Sequence, residues 1–318
     1  MSNNRNFIVE NQNLSQRDAF WTRVGELMHE DQDIVIVVAD MSTPVFDKIR
    51  TNYSNRFFNV GIAEQNSIVT AAGLAKEGKK PYVFSIATFA TLRCFEQIRV
   101  ATSIMNLPVT IVGTGAGFSY DDAGPTHHLF EDIAVMRTQP NMIVNSVSDN
   151  AMAKKVAETS RHLSGPNYVR LERHINPNIY TKEDNFEDGF EVLSEGKDGC
   201  IVSNGFMLWK AFEIQKEMHA IGKSISVIDL HTYPCNEKKL AETLSKAPSI
   251  MTIEENFLEG GMSSYILEVM NDFGHLRPLR RYGVKKEWIY RYGGREHNHE
   301  YHGLDLDTLK IEAKKIWI

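Results

Sequence analysis

Glu64 stands in the run GIAEQNSIVTAAGLA, at the start of a stretch patterned as a helix, with no Lys or Arg beside it. Such an acid is either a first-turn glutamate favoured by the helix dipole or a partly buried carboxylate placed for proton transfer. Asp40 closes the apolar run IVIVVA, and Phe89 follows YVFSIAT. In YVRLER the period of two puts Val169, Leu171 and Arg173 on one face. An arginine at the end of an apolar face needs an anionic partner or a wet cleft. Phe89, Leu92 and Phe95 recur every three residues, a stripe that suits either a core or an aromatic platform. His127 and His128 follow Gly124-Pro125-Thr126, a turn-like lead into a helix. On its own a histidine pair of this kind is usually structural or solvated.

Several other chemistries fail on their spacing. Gly113-Thr-Gly115-Ala-Gly117 follows a strand pattern, but SYDDAGPTH comes next where a dinucleotide loop needs a helix. No G-x-x-x-x-G-K-[ST] run and no G-x-S-x-G elbow occurs. His297, His299 and His302 lack the carboxylate or Cys spacing that completes a metal site. Cys94, Cys200 and Cys235 are far apart and form no disulfide framework, which fits a reducing compartment. The net charge of −6 with no cationic cluster disfavours nucleic acid as a partner. The opening residues lack a signal peptide's apolar stretch, and the run IVIVVA is too short to cross a bilayer. A soluble cytoplasmic protein, with neither membrane nor nucleic acid as partner, is expected.

The elements that must position these residues alternate. DIVIVVAD, RFFNVGIA, PYVFSIAT, PVTIVGTG, MIVNSVSD and NYVRLERH read as strands. Between them EQNSIVTAAGLAKEG, FATLRCFEQIRVATSIMN, HLFEDIAVMRTQP and SDNAMAKKVAETSRHL read as helices, the last opening on a Ser or Asp cap. Near-continuous apolar strands alternating with helices predict a parallel sheet covered on both faces. Ligands of such sheets gather outside the carboxyl ends of the strands. Asp40, Glu64, Phe89, the segment 113–128 and Arg173 all follow strand ends. The polar stretch 175–189 reads as a linker. The pattern then resumes with GCIVSNG, a helix around 207–221, SISVIDLH, a helix near 236–246, SIMTIEEN and a helix in GGMSSYILEVMNDFG. A chain of 318 residues exceeds one compact core, so two α/β domains are expected, 1–185 and 186–318, each a mainly parallel sheet covered by helices.

Taken in order, GIAEQN, ATFATLRCFEQIR, DDAGPTHHLFEDIAVMR and PNMIV resemble the transketolase family. VIDLHTYP, TIEENFLEGGMSS and RRYGV extend the likeness through the second domain. The resemblance covers the pyrimidine-binding and C-terminal domains, the second half of a full-length transketolase. It implies thiamine diphosphate as cofactor and transfer of a two-carbon ketol unit from a ketose to an aldose. It further implies that Glu64 hydrogen-bonds the cofactor's aminopyrimidine ring and favours the imino tautomer. By the same likeness Phe89 stacks on that ring with Phe95 close by, and Asp40 lies beside the cofactor. His127 matches a histidine that contacts substrate hydroxyls and shuttles protons, and Arg173 an arginine that grips the sugar phosphate. The diphosphate and its Mg²⁺ are held in the family's other half by a G-D-G motif, which this sequence lacks. The chain therefore resembles the C-terminal subunit of a split transketolase. Its expected partner is an N-terminal-half subunit carrying the Mg²⁺ ligands, in a two-plus-two heterotetramer.

Two positions depart from the family pattern. Ala123 stands where the family usually has an aspartate that reads a substrate hydroxyl, and Gly115 falls near an expected histidine of the phosphate grip. Both point towards a specialised sugar. The fold is shared with the deoxyxylulose-phosphate synthase half and with the β subunit of a 2-oxoacid dehydrogenase, but GPTHH and EDIAVMR favour transketolase. A regulatory or scaffolding half without catalysis would need none of Glu64, Phe89 and His127.

Overall fold

The computed structural model describes residues 14–181 and 184–318. The opening segment read for targeting signals, and two residues of the polar stretch 175–189, lie outside the described residues. The chain divides into two compact units, one built from residues 14–116 and 135–181 and the other from 117–134 and 184–318.

The first unit runs α1 (Gln16–Glu30), β1 (Ile34–Val38), α2 (Val45–Asn52), β2 (Phe57–Asn59), α3 (Glu64–Lys76), β3 (Lys80–Ile86), α4 (Ala87–Thr91), α5 (Phe95–Gln97), a π-helical turn (Ile98–Ser103) and β4 (Thr110–Thr114). After the short α6 (Asp132–Met136), β5 (Ile143–Ser146), α7 (Asn150–Ser160) and β6 (Asn167–Leu171) complete it. Its six strands lie in the order β5-β6-β4-β3-β1-β2, every pair parallel. β1, β4 and β6 are buried along their whole length, as a sheet covered on both faces requires. Their carboxyl ends therefore share one edge.

Local chemistry sets the element ends. Ser15 caps α1 by accepting from the Asp18 N–H, and Asp149 caps α7 by accepting from Met152 N at 2.8 Å. The Trp21 ring of α1 meets Phe46 and Phe84 edge-on at centroid distances of 4.9 and 5.2 Å, fastening α1 to the sheet. The single helix expected over 89–106 is broken instead. Leu92–Cys94 form a turn between α4 and α5, and the π turn follows. The Thr91 and Thr102 hydroxyls each fold back on the carbonyl four residues earlier, at 2.6 Å, a pattern that bends helices.

The second unit contains β7 (Phe190–Ser194), β8 (Gly199–Ser203), α8 (Met207–Ala220), β9 (Ile225–Leu230), the two-residue β10 (Thr232–Tyr233), α9 (Glu237–Leu244), β11 (Ile250–Phe257), α10 (Met262–Asp272), β12 (Leu279–Val284), α11 (Arg295–His302) and α12 (Leu306–Trp317). Its sheet order is β12-β11-β8-β9-β7, parallel except for β7 against β9. Gly199 makes room for α12: a Cβ there would fall 2.1 Å from the Trp317 indole nitrogen.

Buried histidines give this unit an acid limit. Burial drives His231 down to about 3 and His302 to about 4, and lowers His128 as well. An unfolded histidine titrates near about 6.5. As the pH falls below that value the unfolded chain takes up protons that the folded chain refuses, so stability present above it is lost. Glu254 acts in the opposite sense. Burial raises it to about 7, so its contribution is present at low pH and lost as the pH rises through 7. Burial raises Glu131 of the same unit in the same sense; the three imidazoles outweigh these two carboxyls, and the melting temperature should fall between about pH 6.5 and 4.5. His231→Phe, which keeps a ring in place, should flatten that slope. Melting curves across the window check this, and a flat wild-type profile contradicts it.

Candidate active site

Three side chains of the first unit converge at the carboxyl edge of its sheet. Glu64 is the first residue of α3 and only 5% exposed. Ala63, at the cap position, supplies no side-chain hydrogen bond, so the acid itself meets the helix N-terminus. Arg93, in the turn between α4 and α5, donates from a guanidinium nitrogen to Glu64 Oε2 at 2.8 Å. The same guanidinium lies 4.0 Å from the centroid of the Phe89 ring, on α4 immediately after β3. Gln65 Nε2 in turn donates to the Arg93 carbonyl at 3.3 Å. The break in the expected helix is what points Arg93 back across the edge. Its side chain is 45% exposed, and an ion pair that open contributes about 1 kcal/mol or less. A planar group bearing N–H donors thus rests on an aromatic face while bonding a buried carboxylate. An aminopyrimidine ring is likewise planar and offers a carboxylate an N–H donor where its ring nitrogen carries the proton, so the residues fit it, with Arg93 as the group it would displace.

Asp40, two residues beyond β1, lies in the left-handed region (φ 55°), a conformation that Asp tolerates better than most residues. Its backbone N–H donates to Asn59 Oδ1 at 3.1 Å, and Asn59 Nδ2 donates to Asp40 Oδ1 at 3.2 Å. Gly61 N–H donates to the same Asn59 oxygen at 2.9 Å. Asn59 therefore ties the end of β1 to the segment entering α3. Phe95 opens α5 and is half-buried.

The face expected for Arg173 does not extend that far. β6 ends at Leu171 because Glu172 folds back, its Oε1 accepting from the N–H groups of Arg173 and His174 at 2.8 and 3.2 Å. Arg173 is consequently half-exposed in a turn at the same sheet edge. β4 lies between β6 and β3, so the two strand ends are about 10 Å apart.

His127 belongs to the second unit. Turn bonds from His127 N and His128 N to the Gly124 carbonyl, at 3.0 and 3.1 Å, shape GPTHH. The His127 ring approaches Tyr120 at 5.7 Å, and its Nδ1 lies 2.9 Å from the Thr126 hydroxyl. The helix expected to follow starts only at Asp132, because Leu129 bridges back to Gly117 and the Phe130 carbonyl accepts from Phe257 N at 3.1 Å. His299 and His302 are buried among aromatic rings. Among the described residues no group of three or more His, Cys, Asp or Glu is placed to hold a metal ion, and no helix is long and apolar enough to cross a membrane.

Comparison with known proteins places this arrangement in a family. Residues 12–177 match the transketolase pyrimidine binding domain and residues 188–309 the transketolase C-terminal domain. The chain belongs to the transketolase family. It is 33% identical over 309 residues to a Methanocaldococcus jannaschii protein described as a transketolase C-terminal section, covering 94% of each. It is 29% identical to one of the subunits of the apulose-4-phosphate transketolase of Actinobacillus succinogenes, covering 87% of this chain and 90% of that one. A 1-deoxy-D-xylulose-5-phosphate synthase of Carboxydothermus hydrogenoformans is 31% identical, but the match spans 97% of this chain and only 50% of the synthase. Among solved structures, a split-gene transketolase in an inactive β4 tetramer superposes with a TM-score of 0.86 at 33% identity, covering 95% of this chain and 98% of that one.

Proposed function

We propose that this chain is the C-terminal subunit of a two-component transketolase that moves a two-carbon ketol unit from an anionic ketose to an aldose. The observation that carries the reading is the Glu64–Arg93–Phe89 contact, which combines a buried acid, an aromatic face and a planar donor between them. Thiamine diphosphate, when bound, supplies the electron sink that ketol transfer requires. Glu64 then holds a proton at a ring nitrogen of the aminopyrimidine, and Phe89, with Phe95 near it, takes the ring's face. Asp40 lines the adjoining edge. His127 hydrogen-bonds substrate hydroxyls and moves protons, and Arg173 binds the anionic end.

The partner reading is supported by the relatives that the chain covers almost end to end, a transketolase C-terminal section and one subunit of a transketolase. The sequence has no G-D-G run, and the diphosphate with its Mg²⁺ needs several oxygen ligands. An N-terminal-half subunit provides them in this reading. A surface for it adjoins Glu64: α3 and the π turn pack together, and nearby Ile62 is 79% and Ile104 67% exposed. That a split-gene relative forms an inactive β4 tetramer supports self-association of this chain, in a two-plus-two enzyme.

The substrate reading rests on Arg173 and Ala123. A phosphate, as in the sugar that names the Actinobacillus relative, complements the charge of Arg173. Ala123 leaves no polar group to be stranded by a missing hydroxyl, so deoxy or epimeric sugars should be accepted. Arg173→Ala should raise KM for a phosphorylated donor about tenfold or more, the range for hydrogen bonds to charged groups. An unphosphorylated donor should be little affected. Steady-state kinetics of the reconstituted enzyme with paired donors test the reading, and an equal effect on both would remove Arg173 from the anion site.

A further inference from the structure

The loop that presents His127 is fixed by residues far along the chain. Gly117 and Leu129 close its base as an antiparallel bridge, with bonds of 3.1 and 3.2 Å in the two directions. Asp121, six residues before His127, accepts the backbone N–H of Arg295 on its Oδ2 at 2.8 Å, across 174 positions of sequence. Arg295 opens α11, and the cap position before it is Gly294 at φ 88°, which has no side chain to offer. Asp121 thus caps α11 from the loop. A second attachment lies at Phe118, whose N–H approaches Glu255 Oε2 of β11 at 3.4 Å. Gly117 comes as close as glycine allows, for a Cβ there would fall 2.2 Å from that same oxygen.

Both attachment points are held by one buried ionic network. Glu255 is clamped by Arg295, with Nε at 2.7 Å and a second guanidinium nitrogen, and by His299 Nε2. Lys210 of α8, its side chain wholly buried, donates to His299 Nδ1 at 2.6 Å, to Glu296 at 3.0 Å and to the Leu304 carbonyl at 3.0 Å. With Lys210 charged, its ammonium has only donors, so Nδ1 accepts from it and Nε2 presents its proton to Glu255. Arg295 also lies 3.6 Å over the Phe206 ring. Burying this many charges is costly beside an apolar core, and none of them belongs to the chemistry assigned above. What the network does is immobilise the Glu255 carboxylate and the first turn of α11, the two places where the loop is anchored.

We propose that Asp121 is a positioning residue for His127, coupling the loop to the buried Glu255–Arg295–His299–Lys210 network so that the imidazole is presented at one place. The proposal rests on the reading of His127 as the substrate-facing histidine. The test is a double-mutant cycle in the reconstituted two-subunit complex. Asp121→Ala should lower kcat about tenfold or more, since small misplacements of a reacting group cost up to about a hundredfold, and should leave cofactor affinity unchanged. In the His127→Ala background the same change should lower kcat less than about twofold, because the group being positioned is gone. Asp121→Asn, which keeps an acceptor oxygen, should restore most of the activity. Hydrogen exchange should quicken in Asp121→Ala over 117–129 and at the first turn of α11, which loses its cap, and nowhere else. An equal loss in both backgrounds, or exchange in the loop left unchanged, overturns the positioning role alone. Full turnover in His127→Ala overturns the reading beneath it and the proposal together.

Discussion

Glu64→Gln in the reconstituted enzyme should reduce turnover at least about a hundredfold, the scale on which a positioned acid or base acts. The substitution is nearly isosteric, and the side chain is buried at the first turn of α3. Packing and the position of the terminal atoms should therefore survive. What is lost is the carboxyl proton at the aminopyrimidine nitrogen, together with the charge that now draws Arg93 across the Phe89 ring. A neutral amide holds Arg93 less tightly, so cofactor affinity should change far less than kcat. Calorimetry of cofactor binding beside steady-state kinetics separates the two. Near-normal turnover would remove Glu64 from the chemistry, whatever the affinity.

Much of the fold is legible in the sequence because its signals are local. β-branched runs closed by turn residues mark β1 to β6, and the Asp149 cap marks α7. Gly78 at φ 85° ends the helix that Glu64 begins. The sequence pattern does not predict α1, although Ser15 caps it. Its packing stripe of Phe20, Trp21, Val24 and Met28 is fully buried but is interrupted by charges that the pattern alone does not place. The same limit applies to the site. Glu64, Phe89 and Asp40 announce themselves by following strands. Arg93 does not, because its role depends on the turn at Leu92–Cys94 that breaks a stretch reading as one helix. Asp121 and Glu255 are harder still. They lie 134 positions apart in the sequence, and only the folded second unit shows that both hold one loop. A faint signal exists in the glycine at 117, whose φ of 57° and contact with Glu255 admit no side chain.

The central claim is that this chain supplies one end of a cofactor site and a separate subunit supplies the other. The measurement that tests it most directly is ketol-transfer activity and thiamine diphosphate affinity in the presence of Mg²⁺, first for this chain alone and then after adding the candidate N-terminal-half subunit. Glu64, Phe89 and Asp40 address a neutral ring, whereas the diphosphate carries most of the cofactor's charge and brings an ion that demands near-octahedral oxygen ligands. Alone, the chain should bind the cofactor weakly and turn over nothing. With the partner, tight binding and turnover should appear together and saturate at equal amounts of the two chains. Full activity from this chain alone would contradict the account.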